Sequence, residues 1–303
     1  MKKRIGISIW QFQHKFGDKE ALRIAKQIGA DSVDFSLEGS ECDYRNPDSL
    51  YAKGEEAIRA YYSELREYAE EIGLVIGQTH GKLPGFRNIP AEDEALIENT
   101  RLDCIATASL GAEVMVVHNA TSIYLGPNPD PELMQDLSLK MFKAMLPFAK
   151  QNGIKIATET FGDAVRFSAV DFFGDINEFE KAYKAVKDIP ELKDYITICV
   201  DTGHSNKAMR YDNPTPADVI RRLGKEVTCL HLNDNDTLTD QHKMPLSGCI
   251  DWENVMNALD EIGYNGIYNM ELNLRHFGEA LIVDYAEFAI KVMRNILDKR
   301  DNK

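Results

Sequence analysis

The chain has 303 residues, 44% of them hydrophobic, which suits one large domain, because alternating strand–helix barrels often exceed about 250 residues. A formal net charge of -14 and a pI near 5.0 disfavour non-specific binding to nucleic acid or to anionic membranes. No apolar run approaches transmembrane length, and the five scattered cysteines lack the CxxC spacing of a thiolate zinc site. We expect a single domain over residues 1–303 in a reducing cytoplasm.

Short apolar runs alternate with longer amphipathic segments along the whole chain. In chain order, the runs typical of strands are RIGISIW, SVDFSL, LVIGQTH, VMVVHNA, KIATETF, ITICVDT, VTCLHLN and GIYNMEL. The segments typical of helices are DKEALRIAKQIG, EEAIRAYYSELREYAEEIG, NTRLDCIATASLG, LMQDLSLKMFKAMLPFAKQNG, NEFEKAYKAVK, PADVIRRLGK, DWENVMNALDEIG and EALIVDYAEFAIKVMRNILDK. The sequence therefore predicts eight repeats of a strand followed by a helix.

Glycines and capping residues mark the boundaries of these repeats. A glycine precedes six of the strands, at Gly29, Gly73, Gly111, Gly153, Gly224 and Gly263. A glycine just past a helix supplies the left-handed conformation that ends it. Asp18, Thr215 and Asp251 stand where an oxygen side chain can cap a first turn.

The strands are apolar almost throughout, as in VMVVH and ITICV, which is typical of parallel strands covered on both faces. Eight such units predict an α/β fold, a (β/α)8 TIM barrel with a parallel eight-stranded sheet. An open doubly wound sheet is the alternative, but the GxGxxG motif that would support it is missing after the first strand.

Acidic and imidazole side chains gather at the predicted carboxyl ends of the strands, where the functional residues of such barrels lie. They are His80, His118, Glu159, Asp201, His204, His231 and Glu271, with Asp240 and His242 in the loop after the seventh strand. Glu159, Asp201, His231 and Glu271 form the predicted metal set. Three carboxylates and an imidazole suit Mn²⁺, Mg²⁺, Co²⁺ or Zn²⁺. Burial as partners of Arg or Lys is the alternative, yet no basic residue recurs at matching strand ends.

The remaining rim residues have two interpretations each. His204 lies three residues after Asp201, so it either contacts substrate or binds a second metal ion. His80 and His118 either face the pocket or are satisfied core groups. Asp240 and His242 either bind substrate or belong to a solvated turn. Aromatic residues are wall or core candidates: Trp10, Phe12, Trp252 and Phe277.

A metal held in this way leaves positions for two neighbouring oxygens of a hydroxyketone. The ion would stabilise the enediolate that forms when a proton leaves the adjacent carbon. Glu159 and Glu271 are the predicted catalytic pair that takes and returns that proton. Return to the other face of the same carbon is epimerisation, and return to the neighbouring carbon is isomerisation.

The motifs ATETFG, DTGH, LHLND, NMELN and the run from Pro245 to Trp252 resemble those of the xylose-isomerase-like barrel superfamily over essentially the whole chain. The resemblance is to its sugar isomerase and epimerase branch, with the ketose 3-epimerases and hydroxypyruvate isomerases. It implies Mn²⁺, Mg²⁺ or Co²⁺ on the predicted metal set, with His204 touching a sugar or sugar phosphate. The chain departs from the ketose 3-epimerases in reading NDNDTLTD where they commonly place an arginine.

The same superfamily contains the type IV apurinic endonucleases, which use three zinc ions and whose ligand pattern can be laid over the nine rim residues. The acidic charge opposes that alternative, because such a protein must neutralise phosphates. A non-catalytic carbohydrate-binding barrel is a third interpretation of the function. We expect no nucleic-acid or membrane partner, and the long terminal helix is compatible with a homo-oligomer.

Overall fold

Eight parallel strands form a barrel that closes through one backbone bridge. The computed structural model describes residues 3–164 and 167–301. The strands are β1 (Arg4–Ser8), β2 (Ser32–Ser36), β3 (Val75–His80), β4 (Val114–Val117), β5 (Lys155–Glu159), β6 (Ile196–Asp201), β7 (Val227–His231) and β8 (Ile267–Met270). Sequential strands pair in parallel, β8 pairs with β1, and Leu232 bridges Met270 to join β7 to β8. The predicted barrel is confirmed, and the open doubly wound sheet is wrong.

Helices cover the outside of the barrel. They are α1 (Trp10–Phe16), α2 (Asp18–Gln27), α3 (Glu55–Glu71), α4 (Pro90–Ser109), α5 (Pro131–Asn152), α6 (Ile176–Lys187), α7 (Thr202–Ala208), α8 (Pro216–Leu223), α9 (Trp252–Glu261) and α10 (Ile282–Asp301). A two-stranded antiparallel pair, Asp163–Ala164 with Ala169–Val170, follows β5. None of the helices in the described residues is both long and apolar enough to cross a membrane.

The predicted boundary signals are largely confirmed. All six predicted glycines have a positive φ, between 58° and 89°. The side chains of Thr215 and Asp251 accept hydrogen bonds from the backbone N–H groups of Asp218 and Asn254. The cap predicted at Asp18 is wrong, because Gly17 occupies the capping position and the Asp18 carboxylate accepts hydrogen bonds from Gln13 and Tyr61 instead.

Three helices differ from the sequence prediction. The first strand ends at Ser8, and α1 begins at Trp10. The side-chain amide of Gln13 in this helix donates to the carbonyl of Ser36 and accepts the N–H of Ser36, which ties α1 to the end of β2. Helix α4 begins at Pro90, well before the predicted segment NTRLDCIATASLG, because the Asp93 carboxylate accepts the N–H groups of residues 87 and 89. Helix α7 begins directly after β6, and no amphipathic pattern indicated it.

The interior of the barrel is divided between an apolar half and a polar half. Val116, Ala157, Cys199 and Cys229 form a separate buried apolar cluster on the side of β4 to β7. Asp34, Gln78 and Asn269 are buried on the side of β8 to β3. Since side chains alternate across a strand, this layer lies directly below the residues at the strand ends. The polar half therefore supports the rim from beneath.

The exposed carboxylate of Asp251 gives a clean measure of a helix cap. We expect Asp251→Ala to lower the free energy of unfolding by about 1 kcal/mol, because α9 loses the acceptor for the N–H of Asn254. Chemical denaturation measures the change. Asp251→Asn keeps an acceptor and is the control, and an equal loss in both variants would contradict the capping role.

Candidate metal centre

The ends of four strands bring the predicted metal set together. Glu159, Asp201 and His231 are the last residues of β5, β6 and β7, and Glu271 follows β8 directly. One ligand atom from each lies within 4.8 Å of every other, and the first three side chains are fully buried. Residues far apart in the chain therefore converge on one point, as the parallel barrel requires.

The donor atoms of this set fit a divalent cation. Both carboxylate oxygens of Glu159 and Nδ1 of His231 are buried without a hydrogen-bond partner. Unpartnered buried polar atoms are costly, and buried charges are normally paired or bound to metal. The polar side chains beside Glu159 include imidazoles, with His118 Nε2 and His231 Nδ1 each 3.2 Å away. A hard or borderline ion matches three carboxylates and one imidazole.

Hydrogen bonds behind the set fix the orientation of its members. Asp201 Oδ1 accepts the N–H of His204 at 2.6 Å, and its Oδ2 accepts the amide of Asn233 at 2.7 Å. His231 Nε2 lies 2.8 Å from Asp34 Oδ2. These contacts leave Nδ1 of His231 without a partner, and each oxygen of Asp201 keeps a second lone pair that a cation could use.

A second set lies beside the first and shares Glu159. His80 Nε2 and His118 Nε2 are 3.4 Å and 3.2 Å from Glu159 Oε2, and the three residues offer ligand atoms within 4.8 Å of one another. His80 Nδ1 lies 3.0 Å from the carbonyl of Gly81 and 3.4 Å from Glu38 Oε1. Both histidines therefore face the pocket.

A third set comes from α7 and the loop after β7. His204 Nε2 and His242 Nε2 lie 3.4 Å and 3.3 Å from Asp240 Oδ2. The loop folds back because Asp234 bridges Lys243, and the Asp234 carboxylate accepts the indole N–H of Trp252. Asp240 and His242 consequently line the cavity, and Asp240 is at the same time exposed.

A cavity of about 520 Å³ opens above these sets. It is lined by Trp10, Gln11, Glu38, His80, Leu83, His118, His204, Asp240, His242, Glu271, Leu272, Asn273 and Arg275. Of the four aromatic candidates, Trp10 lines this cavity. Phe12 and Trp252 are buried in the core, and Phe277 is 66% exposed on the surface.

Sequence reasoning missed several of the lining and supporting residues. Glu38 lies two residues after the end of β2 and could have been found by the same strand-end rule. Asp34 interrupts the apolar run SVDFS, which is a weaker form of the same signal. Gln11, Gln78 and Asn273 carry no comparable signal, because uncharged amides are common on any surface.

The carboxylates of the site raise the pKa values of histidines around them. Burial disfavours the imidazolium of His80, but contact with Glu159 and the charge of Glu38 raise its pKa to about 10. Burial is likewise outweighed by Asp240 and Glu271, which raise the pKa of His242 to about 9. Burial would raise the pKa of Glu159, but the charges of nearby histidines lower it well below its usual range. These shifts show that the carboxylates favour positive charge among them.

Residues 22–295 match the protein family described as the xylose isomerase-like TIM barrel, and the chain belongs to that family. An uncharacterised protein of Methanocaldococcus jannaschii is 28% identical over 218 residues, which cover 70% of this chain and 68% of that protein. A D-psicose 3-epimerase of Enterocloster bolteae is 24% identical over 217 residues, covering 69% and 65%. A solved D-tagatose 3-epimerase-like structure has a TM-score of 0.73 at 21% identity, covering 98% of this chain and 99% of its own, and shares the fold.

The raised histidine pKa values predict that the metal-free protein loses stability above neutral pH. Histidines whose folded pKa exceeds 6.5 stabilise the fold fully below about pH 6.5, and this contribution declines until the pH passes about 9 for His242 and about 10 for His80. We expect the thermal midpoint of chelator-treated protein, followed by circular dichroism, to fall between about pH 7 and about pH 9.

Two further measurements test the cause of that decline. His242→Gln should show a shallower pH dependence, because one titrating group is gone. Saturating Mn²⁺ should also flatten the profile, because a bound cation repels the imidazolium form. A thermal midpoint that rises over this pH range in the metal-free protein would contradict the assignment.

Proposed function

We propose that this chain is a divalent-metal-dependent isomerase or epimerase of a small sugar. The observation that carries the proposal is the convergence of Glu159, Asp201, His231 and Glu271, whose ligand atoms lie within 4.8 Å of one another. Glu271 also lines the cavity, so the set is within reach of a bound ligand. The similarity of the chain to the D-psicose 3-epimerase of Enterocloster bolteae supports the same class of reaction.

In this proposal, a divalent ion held by the four residues would polarise the carbonyl of a bound hydroxyketone. Glu159 and Glu271 stand at the ends of β5 and β8 and are the proton-transfer pair. One takes the proton from the carbon beside the carbonyl, which gives an enediolate, and the other returns it. Delivery to the opposite face of the same carbon gives the epimer, and delivery to the neighbouring carbon gives the isomer.

The other cavity residues bind and orient the sugar in this proposal. His204 contacts the substrate, and His80, His118, Asp240 and His242 offer further polar contacts around it. The ring of Trp10, 38% exposed, supplies an apolar wall. The guanidinium of Arg275 lies 5.6 Å from the centroid of the Trp10 ring, so a basic group also lines the cavity. Neutral and phosphorylated sugars both remain substrate candidates for this cavity.

Substituting each glutamate tests the proton-transfer roles. We expect Glu159→Gln and Glu271→Gln each to slow the exchange of a carbon-bound substrate hydrogen with heavy water by on the order of 10²–10⁴-fold, because the amide cannot accept the proton. Proton NMR across a panel of ketoses, with and without phosphate, measures the exchange.

The control for this experiment is Glu279→Gln, which removes a half-exposed carboxylate paired with Arg275 near the cavity. It should retain exchange. A chain that binds sugars tightly and never exchanges their hydrogens would instead be a carbohydrate-binding barrel, and the enzymatic proposal would be wrong.

A trinuclear zinc phosphodiesterase is the second candidate, and one specific observation favours it. The three neighbouring sets together contain all nine rim residues, each set has ligand atoms within 4.8 Å, and Glu159 belongs to two of them. His80, His231 and Glu271 form a fourth group that overlaps the first two sets. Three ions in these sets could bind phosphate oxygens together. The net charge of -14 stands against a polyanionic substrate.

The number of bound ions separates the two candidates. We expect elemental analysis of the purified protein to find a single tightly held Mn²⁺, Mg²⁺ or Co²⁺ per chain, because one set has four ligands and every other group has three. Three zinc ions per chain, together with cleavage of DNA at abasic sites, would reverse the ranking.

A further inference from the structure

We propose that Asp34 is a positioning residue that holds the His231 ring with Nδ1 aimed at the metal set. The inference rests on the proposed function, because it takes His231 as a metal ligand. Asp34 lies in the middle of β2, and His231 ends β7, so the contact spans the barrel interior between strands that are not neighbours. Both side chains are fully buried.

The distance between the two groups indicates a strong hydrogen bond. His231 Nε2 lies 2.8 Å from Asp34 Oδ2, within the range of bonds between an imidazole and an ionised carboxylate. The same oxygen lies 3.1 Å from the side-chain amide of Gln78 and 3.5 Å from that of Asn269. Donors from β3, β7 and β8 therefore converge on one carboxylate oxygen, which fixes the position of Asp34.

This convergence determines which nitrogen of His231 carries the proton. An ionised carboxylate only accepts hydrogen bonds, so His231 must donate from Nε2. The Gln78 amide nitrogen lies 3.1 Å from Asp34 Oδ2 and 3.2 Å from His231 Nε2, and with a proton on Nε2 only Asp34 can accept its hydrogen bond. In the neutral ring, Nδ1 then keeps its lone pair, as a metal ligand requires.

The lone pair of Nδ1 faces the carboxylates of the metal set. Nδ1 lies 3.2 Å from Glu159 Oε1 and 3.5 Å from Glu271 Oε2, and it is buried without a hydrogen-bond partner. A lone pair and two carboxylate oxygens repel one another unless positive charge lies between them. The ring orientation that Asp34 imposes is thus suited to a cation in that position.

A plain structural ion pair between Asp34 and a protonated His231 is the competing explanation. In that case Asp34 would stabilise the fold and have no influence on metal binding. A carboxylate behind a metal-bound histidine has a different effect, because it fixes the ring and raises the basicity of the ligating nitrogen. Loss of such a partner typically weakens metal affinity by about 10–100-fold.

Titration calorimetry with Mn²⁺ on the full-length chain distinguishes the two explanations. We expect Asp34→Ala to weaken Mn²⁺ affinity by about 10–100-fold and Asp34→Asn to weaken it less, because the amide oxygen still accepts the Nε2 proton. The matched control is Asp93→Ala, which removes another buried carboxylate with two hydrogen bonds, outside the three metal sets. It should leave Mn²⁺ affinity unchanged.

NMR of protein labelled with ¹⁵N at histidine gives a second readout that a structural role would not produce. In the wild-type chain loaded with diamagnetic Zn²⁺, we expect His231 to bind through Nδ1 and to show a solvent-protected Nε2 proton. That proton should become exchangeable in Asp34→Ala. If Asp34→Ala does not fold, the Mn²⁺ affinity of Asp34→Asn and the wild-type NMR spectrum still test whether Asp34 positions His231.

The outcomes also separate this inference from the proposed function. A wild-type chain that binds Mn²⁺ with an Asp34→Ala variant of equal affinity would overturn the positioning role and leave the metal centre intact. Metal binding through Nε2 of His231 would also overturn it. A folded wild-type chain that binds no Mn²⁺ would overturn both.

Discussion

The site is organised by one constraint, the burial of the Glu159 carboxylate at the centre of the barrel rim. Moving an isolated carboxylate out of water costs several kcal/mol or more, so it persists only beside positive charge. The imidazoles of His80, His118, His204 and His231 all lie within 3.4 Å of its oxygens. Four histidines, two from strand ends, one from the loop after β4 and one from α7, are arranged around a single acidic side chain.

The two oxygens of Glu159 face two different pairs of histidines. Oε1 faces His204 and His231, whereas Oε2 faces His80 and His118. One ion on the Oε1 side would suit the proposed isomerisation or epimerisation of a sugar. Ions on both sides would suit an attack on phosphorus. The number of ions that the rim retains, more than the identity of its ligands, would therefore separate the two candidate reactions.

The sequence predicted the parts of the structure that depend on local patterns. Apolar runs, the glycines after the helices and the residues at strand ends led to the barrel and to the four metal-set residues. Helix α7 was missed because Asp201 both ends a strand and caps the helix that follows, leaving no loop as a signal. Asp34 was missed because its role depends on a residue 197 positions away. Contacts of that range are set by the closed barrel and cannot be inferred from periodicity.

The loop after β7 is anchored at a point outside the cavity. The Asp234 carboxylate accepts the N–H of Ile250 and the indole N–H of Trp252, while its backbone bridges Lys243. The loop that carries Asp240 and His242 is thereby tied to the start of α9. Substitutions at position 234 or 252 would shift these two side chains without touching them directly. Positions 234 and 252 should therefore change together among close homologues, even where every cavity residue is identical.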